Sequence, residues 1–239
     1  MLWAVMAVLF IGAFVRTALG FGEALIAVPL LSLLMPVERA APIAVLVSIT
    51  IACVLLIRDW RKVEFRSALH LVFFTLLGIP LGLFLLVNVP EKLVKALLGA
   101  VIAGFSFYCL FSKKTTRLKN NRLAWVFGTC AGVLGGAYGV NGPPIVVYGA
   151  LRQWPPERFR ATMQGYFLPT SIGIMIGYWS AGLWLPEVTH YFVISLPIIA
   201  LAIFAGCLAA RLLNGPKFFV WVHSGLIAAG GSLLLQTFF

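Results

Sequence analysis

Arg16 and Glu23 stand seven residues apart at one end of a chain whose longest stretches carry no charge at all. A guanidinium offers a small oxyanion a positive charge and a fork of N–H donors, and a carboxylate can take up and release a proton. Side by side, the two can equally neutralise one another as a structural ion pair. They bracket the start of a glycine-rich run, GFGEALIAVP from Gly20 to Pro29, and a second run, GVNGPPIVVY, extends from Gly139 to Tyr148. Glycine permits a sharp turn and close approach of the backbone to a ligand, and proline in the first turn of a following helix removes an N–H that has no partner there. Each run therefore predicts a break followed by the N-terminus of a half-helix, an end that favours an anion. The candidate substrate-binding residues are Arg16, Gly20, Gly22, Glu23, Gly139, Asn141, Gly142 and Pro143. Gln164 joins them as a polar side chain early in an uncharged helix beside the second break, and Ser48, Thr50, Thr170 and Ser171 are further polar residues along the path. Two plainer readings compete. Gly132, Gly135, Gly136 and Gly139 satisfy small-xxx-small spacing, which in membranes signals close helix packing, and membrane hydroxyls and amides often cross-link helices by hydrogen bonds.

The elements that must position these residues are membrane helices. Of 239 residues 62% are hydrophobic and only 10% charged, far from the surface chemistry of a soluble domain. Residues 40–57, 67–87, 161–186, 191–210 and 218–239 lack Asp, Glu, Lys and Arg, and 93–111 carries only Lys95, which can snorkel to an interface. Six spanning helices are expected there. The apolar runs 2–15 and 21–35, and 123–138 and 143–151, are each too short to span, so both regions predict broken or re-entrant hairpins with the break inside the bilayer. The N-terminal run has neither a basic leader nor a small-residue cleavage site, so the first segment is expected to be retained.

The formal net charge of +11 then acquires a topological meaning. Fourteen of the 18 basic residues lie in four clusters, 58–66, 113–122, 152–160 and 211–217, that fall on one side if the two halves of the chain run in opposite directions. The other side keeps Arg39, Lys92 and Lys95, and Arg16 is left in the membrane with Glu23, the one carboxylate so placed. The positive-inside bias assigns the clusters to the cytoplasm and predicts a multi-pass protein of the cell inner membrane. Internal similarity agrees: at an offset of 119 residues Gly20 matches Gly139, and Pro36, Glu38 and Arg39 match Pro155, Glu157 and Arg158. Pro80 and Pro197 occupy similar mid-helix places, as do Gly99 and Gly104 with Gly225 and Gly230. The expected fold is all-α and polytopic, built from two inverted repeats, each a broken hairpin plus three transmembrane helices. Residues 1–112 form the first repeat, 113–122 a basic cytoplasmic linker and 123–239 the second.

Other chemistries find little support. His70, His190 and His223 are scattered, the four cysteines form no CxxC, and neither a nucleophile elbow nor a phosphate-binding loop occurs. No metal, no cofactor, no nucleic acid and no enzymatic activity are expected; the partners are the lipid bilayer, a small anionic substrate and a coupling proton for which Glu23 is the candidate. Inverted halves with discontinuous helices are an architecture of secondary transporters. An anion channel with the same broken-helix pore is the alternative.

With these residues in view, the chain resembles the TauE/SafE sulfite exporter family. The resemblance rests on the paired runs GFGEALIAVP and GVNGPPIVVY and on the loops PVER and PPER that follow them, and it covers nearly the whole chain. Relative to the family pattern, Glu23 and Ala24 stand for glycines in the first copy, Asn141, Pro143 and Pro144 alter the second, and Tyr148 occupies a usual proline position. The resemblance implies transport of sulfite, an organosulfonate such as sulfoacetate, or a related carboxylate across the cytoplasmic membrane.

Overall fold

The computed structural model describes residues 2–88, 107, 118, 121–212, 220, 224 and 227. The expected spans 93–111 and 218–239 and the linker 113–122 lie almost wholly outside the described residues, as do the glycine correspondences at 99, 104, 225 and 230. The described chain is helical, with no strand among its residues. Its long helices are α1 (Leu2–Leu19), α2 (Glu23–Leu31), α3 (Val37–Asp59), α4 (Phe65–Asn88), α5 (Ala124–Tyr138), α6 (Gly142–Leu151), α7 (Pro156–Ser180) and α8 (Pro186–Leu212), and a 3-10 turn at Trp60–Lys62 follows α3.

Both glycine-rich runs break a helix. Gly20 and Gly22 adopt φ of 96° and 102° between α1 and α2, and Gly139 adopts 69° between α5 and α6. The first pair is a hairpin: a Cβ on Gly12 of α1 would touch Ala27 of α2 at 3.6 Å, so α2 folds back along α1. One expectation is corrected here. The N-terminal helix does not stop near residue 15; α1 runs 18 residues, about 27 Å, and carries Arg16 in its last turn. A charge ended the apolar run on paper, but the fold pairs that charge, and the helix continues past it. The helix expected over 161–186 is likewise shifted to Pro156–Ser180. It starts earlier because Pro156 and Glu157 suit a first helical turn. It ends earlier because Gly182, at φ 73°, turns the chain toward Pro186.

Among the described residues, the starts of α2 and α3 match those of α6 and α7 at the offset of 119. The residues before α3 and α7, Pro36 and Pro155, have nearly identical backbones, φ −55° with ψ 146° and 148°. Pro80 and Pro197 both lie inside their helices, α4 and α8. Packing is exchanged between halves: α1 lies on α8, α5 lies on α4, and α3 crosses α7. The α4–α5 contact explains the glycine spacing. A Cβ on Gly132 would sit 2.1 Å from the Thr75 carbonyl oxygen, and one on Gly82 would sit 2.2 Å from that of Val133, so these backbones meet because no side chain intervenes.

The core is largely apolar, but so is much of the exterior, and a small polar cluster is buried within. Trp3, Ile57, Leu69, Phe73, Phe84, Trp125, Trp179 and Phe204 are exposed, while Arg16, Glu23, Ser48, Asn141, Gln164, Thr170 and Ser171 are buried. Helices α1, α3, α4 and α8 are each long and apolar enough to cross a membrane. An apolar exterior over long helices, whose backbone groups bond within the helix, is what a hydrocarbon solvent demands.

Candidate functional site

The two breaks meet. Around the guanidinium of Arg16, 2% exposed, the fold gathers side chains from three other helices. Its Nη1 donates to Glu23 Oε2 at 2.8 Å and also to Ser48 Oγ of α3. Its Nε and Nη2 both donate to Oε1 of Gln164 on α7, at 3.3 and 3.1 Å. The ring of Phe167 covers one face, 4.5 Å from the guanidinium carbon, a cation–π contact in a desolvated place. Gln164 reaches back with its Nε2 to the carbonyl of Gly20 at 3.0 Å, which ties the crossing helix to the turn of the first break. Ser48 and Ser171 are 3.0 Å apart and lie near the middles of α3 and α7, so the cluster sits at mid-depth of both crossing helices.

A cavity of about 20 Å³ lies at the junction, lined by Arg16, Gly22, Glu23, Ser48, Gly139, Asn141, Gly142 and Phe167, among others. That is room for about one water molecule. Glu23 Oε1, buried on this cavity, has no hydrogen-bond partner. Asn141 donates through Nδ2 to Thr170 Oγ1 at 3.0 Å, and Phe167 lies 3.4 Å from where a Gly142 Cβ would be. The Phe167 ring thus touches both the charged first break and the neutral second one.

Of the residues expected from sequence, Arg16, Gly22, Glu23, Gly139, Asn141 and Gly142 line this one cavity. Gln164 and Gly20 adjoin it through the hydrogen bonds just described, whereas Pro143 is buried in the first turn of α6 away from the lining. The half-helix ends are less alike than their glycines suggest. Glu23 is the first residue of α2 and meets that positive end with its own carboxylate. The first turn of α6 has no carboxylate, and Pro143 and Pro144 leave it fewer N–H donors. Phe167 escaped the sequence reading as one of 19 phenylalanines, although Gln164, Phe167 and Ser171 share a helix face at i, i+3 and i+7. Among the described residues no group of His, Cys, Asp and Glu is placed to hold a metal.

A second, larger cavity of about 260 Å³ opens at the end of the molecule where α3 and α8 finish and α7 begins. Thr17, Arg58, Asp59, Lys62, Glu157, Arg160, Gln164, Cys207 and Arg211 are among its lining residues. The Glu157 carboxylate, hydrogen-bonded to the Lys62 ammonium at 2.9 Å, holds that amine above its ordinary pKa.

Fold and cluster together define an all-helical, polytopic membrane protein whose interior charge is concentrated where two broken helices meet. The chain matches the family model described as Sulfite exporter TauE/SafE over residues 4–234, and it belongs to that family. No curated protein and no solved structure matches it. The family is one of membrane transporters, which implies a small anionic substrate.

Proposed function

We propose that this protein is a secondary transporter that carries sulfite, an organosulfonate such as sulfoacetate, or a related carboxylate across the cytoplasmic membrane by alternating access. Its halves run in opposite directions through the bilayer and rock against each other around the two breaks. The matching helix starts and the exchanged packing of α1 on α8 and α5 on α4 support a repeat, and the four basic clusters that fall on one side only if the halves are opposed support its inversion.

One observation carries the reading: Arg16 is buried at the junction with its donors turned to Glu23, Ser48 and Gln164, while Glu23 keeps one oxygen unbonded. An oxyanion reaches Arg16 by displacing Glu23. A buried, unpaired carboxylate is expensive, so Glu23 takes up a proton as the anion binds. For a monovalent anion, the empty site, Arg⁺ with Glu⁻, and the loaded site, Arg⁺ with anion⁻ and neutral Glu23, then carry the same net charge, and neither form crosses the membrane bearing an isolated ion. Asn141 and Gln164 orient the anion, and the backbone at Gly22 and Gly142 donates to it. The cavity of about 20 Å³ is too small for any of these substrates, which fits an empty, occluded carrier and not a standing pore.

Counterflow in proteoliposomes tests the reading. Vesicles loaded with unlabelled sulfite should accumulate labelled sulfite transiently above equilibrium. Monotonic equilibration without overshoot would establish the channel alternative. The paired variant Arg16→Gln with Glu23→Gln, which removes both charges together, should lose the overshoot.

A further inference from the structure

The larger cavity has a wall that the central site does not use. Arg58 at the end of α3, Lys62 in the 3-10 turn, Arg160 near the start of α7 and Arg211 at the end of α8 converge on it from four separate elements. Two carboxylates, Asp59 and Glu157, accompany these four cations, leaving two positive charges in excess. Arg58 and Lys62 are engaged with the carboxylates, at 2.8 Å to Asp59 and 2.9 Å to Glu157. Arg160 donates to the carbonyls of Ala18 and Ala210, where α1 and α8 finish. Arg211 enters no ion pair among the described residues. Low-dielectric walls that concentrate charge of one sign raise the local concentration of the opposite ion by ten- to a thousandfold.

The floor of the cavity connects it to the central cluster. Gln164 lines it and accepts two hydrogen bonds from Arg16, and Thr17, the next residue after Arg16, lines it too. Arg160 also backs the turn of the first break, since a Gly20 Cβ would lie 2.9 Å from its Cγ. A ligand seated here is one side chain away from the buried arginine.

We infer that this basic vestibule is a second anion subsite. It takes a small oxyanion with a sulfonate, sulfite or carboxylate group at Arg58, Lys62 and Arg211, and Gln164 is the gate through which the anion passes to Arg16. The transfer step rests on the central site proposed above; binding in the vestibule does not. At about 260 Å³ the space admits a two-carbon sulfonate, which the central cavity in this conformation does not.

Cys207 lines the vestibule, with its Sγ 2.9 Å from Arg58 Nη1, and supplies a reporter. In a background of Cys53→Ser, Cys109→Ser and Cys130→Ser, its modification is timed with an anionic and a cationic methanethiosulfonate of similar size, in nanodiscs of zwitterionic lipid. The anionic reagent should react about tenfold faster or more. Isethionate and sulfoacetate should slow both reagents in a saturable way. Arg211→Gln should cut the anionic preference several-fold and weaken the protection, whereas Arg16→Gln with Glu23→Gln should leave protection intact. Equal rates for the two reagents would overturn the proposal, as would protection that disappears with the Arg16 pair but survives Arg211→Gln. Anionic lipid distinguishes the source of the ligand: if only anionic nanodiscs protect Cys207 and soluble sulfonates do not, the vestibule holds a headgroup and the substrate subsite is refuted. Loss of counterflow with vestibule protection intact would instead indict the central site alone.

Discussion

The two breaks are built on one backbone plan and opposite chemistry. Gly20 and Gly139 match in sequence and both take a left-handed turn. At the same offset, however, Arg16 corresponds to Gly135 and Glu23 to Gly142. The crossing helices differ in the same sense: a Gly20 Cβ would meet Arg160 of α7, with Gln164 one turn on, whereas a Gly139 Cβ would meet Val45 of α3, with the Ala41 carbonyl beyond it. The turn glycines and helix starts recur while the charge does not. A duplicated ion pair would put two arginines and two carboxylates into one small desolvated cavity, where their desolvation cost would exceed what mutual attraction returns. Concentrating the charge in the first break leaves the second as a neutral, close-fitting wall.

The sharpest way to break this contrast is Arg16→Leu. It strands Glu23 as a buried carboxylate with no donor, and should destabilise the protein by about 3–5 kcal/mol and abolish transport. Arg16→Leu with Glu23→Leu should recover most of that stability and none of the transport. Melting in detergent with and without sulfite, beside uptake assays, separates the two effects. If the double variant stayed as unstable as the single one, the charge pair would not be what holds the first break.

Glu23→Gln should act less on stability, because Arg16 keeps Gln164, Ser48 and Phe167. Its effect is on the charge carried per cycle. With Glu23 neutral throughout, the loaded site remains uncharged but the empty site is left with a bare cation, so net transport should fall about tenfold or more while anion exchange persists. The remaining net flux of a monovalent anion should lose its pH dependence and become sensitive to an imposed membrane potential, since the cycle now moves charge. Pronounced pH dependence surviving in Glu23→Gln would transfer the proton to another group.

The same contrast divides what the sequence shows from what it hides. The all-helical membrane fold and both breaks could be read because apolarity and glycine are local signals, and six of the nine candidate residues do line a single cavity. The extent of α1 could not be read, because a charge inside an apolar run looks like an end until its partner is known. Phe167 was silent for a related reason: its function depends on what lies across from it, and a phenylalanine in a membrane helix has no local mark. Nor did the sequence show that Glu23 occupies the very helix end that was expected to attract the anion.

The glycines themselves come next in size. Gly20→Ala puts a methyl 2.9 Å from Arg160 Cγ and 3.1 Å from its backbone Cα, at φ 96°. Gly139→Ala meets the movable Cγ2 of Val45 at 3.0 Å, at φ 69°. The left-handed conformation alone costs about 1–2 kcal/mol in either case, and the first variant adds a contact that backbone must absorb. Gly20→Ala should therefore melt several degrees below Gly139→Ala. The reverse order would mean that the first break yields and the second is the rigid one.

The smallest effect tests whether the resemblance between halves extends to the ends of the molecule. Arg39 at the start of α3 pairs with Glu187 at the start of α8, and Arg158 at the start of α7 approaches Glu64, just before α4, at 3.6 Å. The arginines match at the offset of 119, so each half clasps the other in the same way, at opposite ends if the halves are inverted. Arg39 is 42% exposed and Arg158 55%, and such pairs contribute roughly 0–1 kcal/mol, so neither Glu187→Gln nor Glu64→Gln should move the melting point appreciably. An equilibrium between two carrier conformations close in energy is far more responsive than folding to a bias of that size. In the background where Cys207 is the only cysteine, Glu187→Gln loosens the end away from the vestibule and should slow Cys207 modification, as the population moves toward a state with the vestibule closed. Glu64→Gln should leave the rate unchanged or raise it. Equal and same-direction changes from both variants would show that these pairs are surface contacts without a part in the proposed rocking of one half against the other.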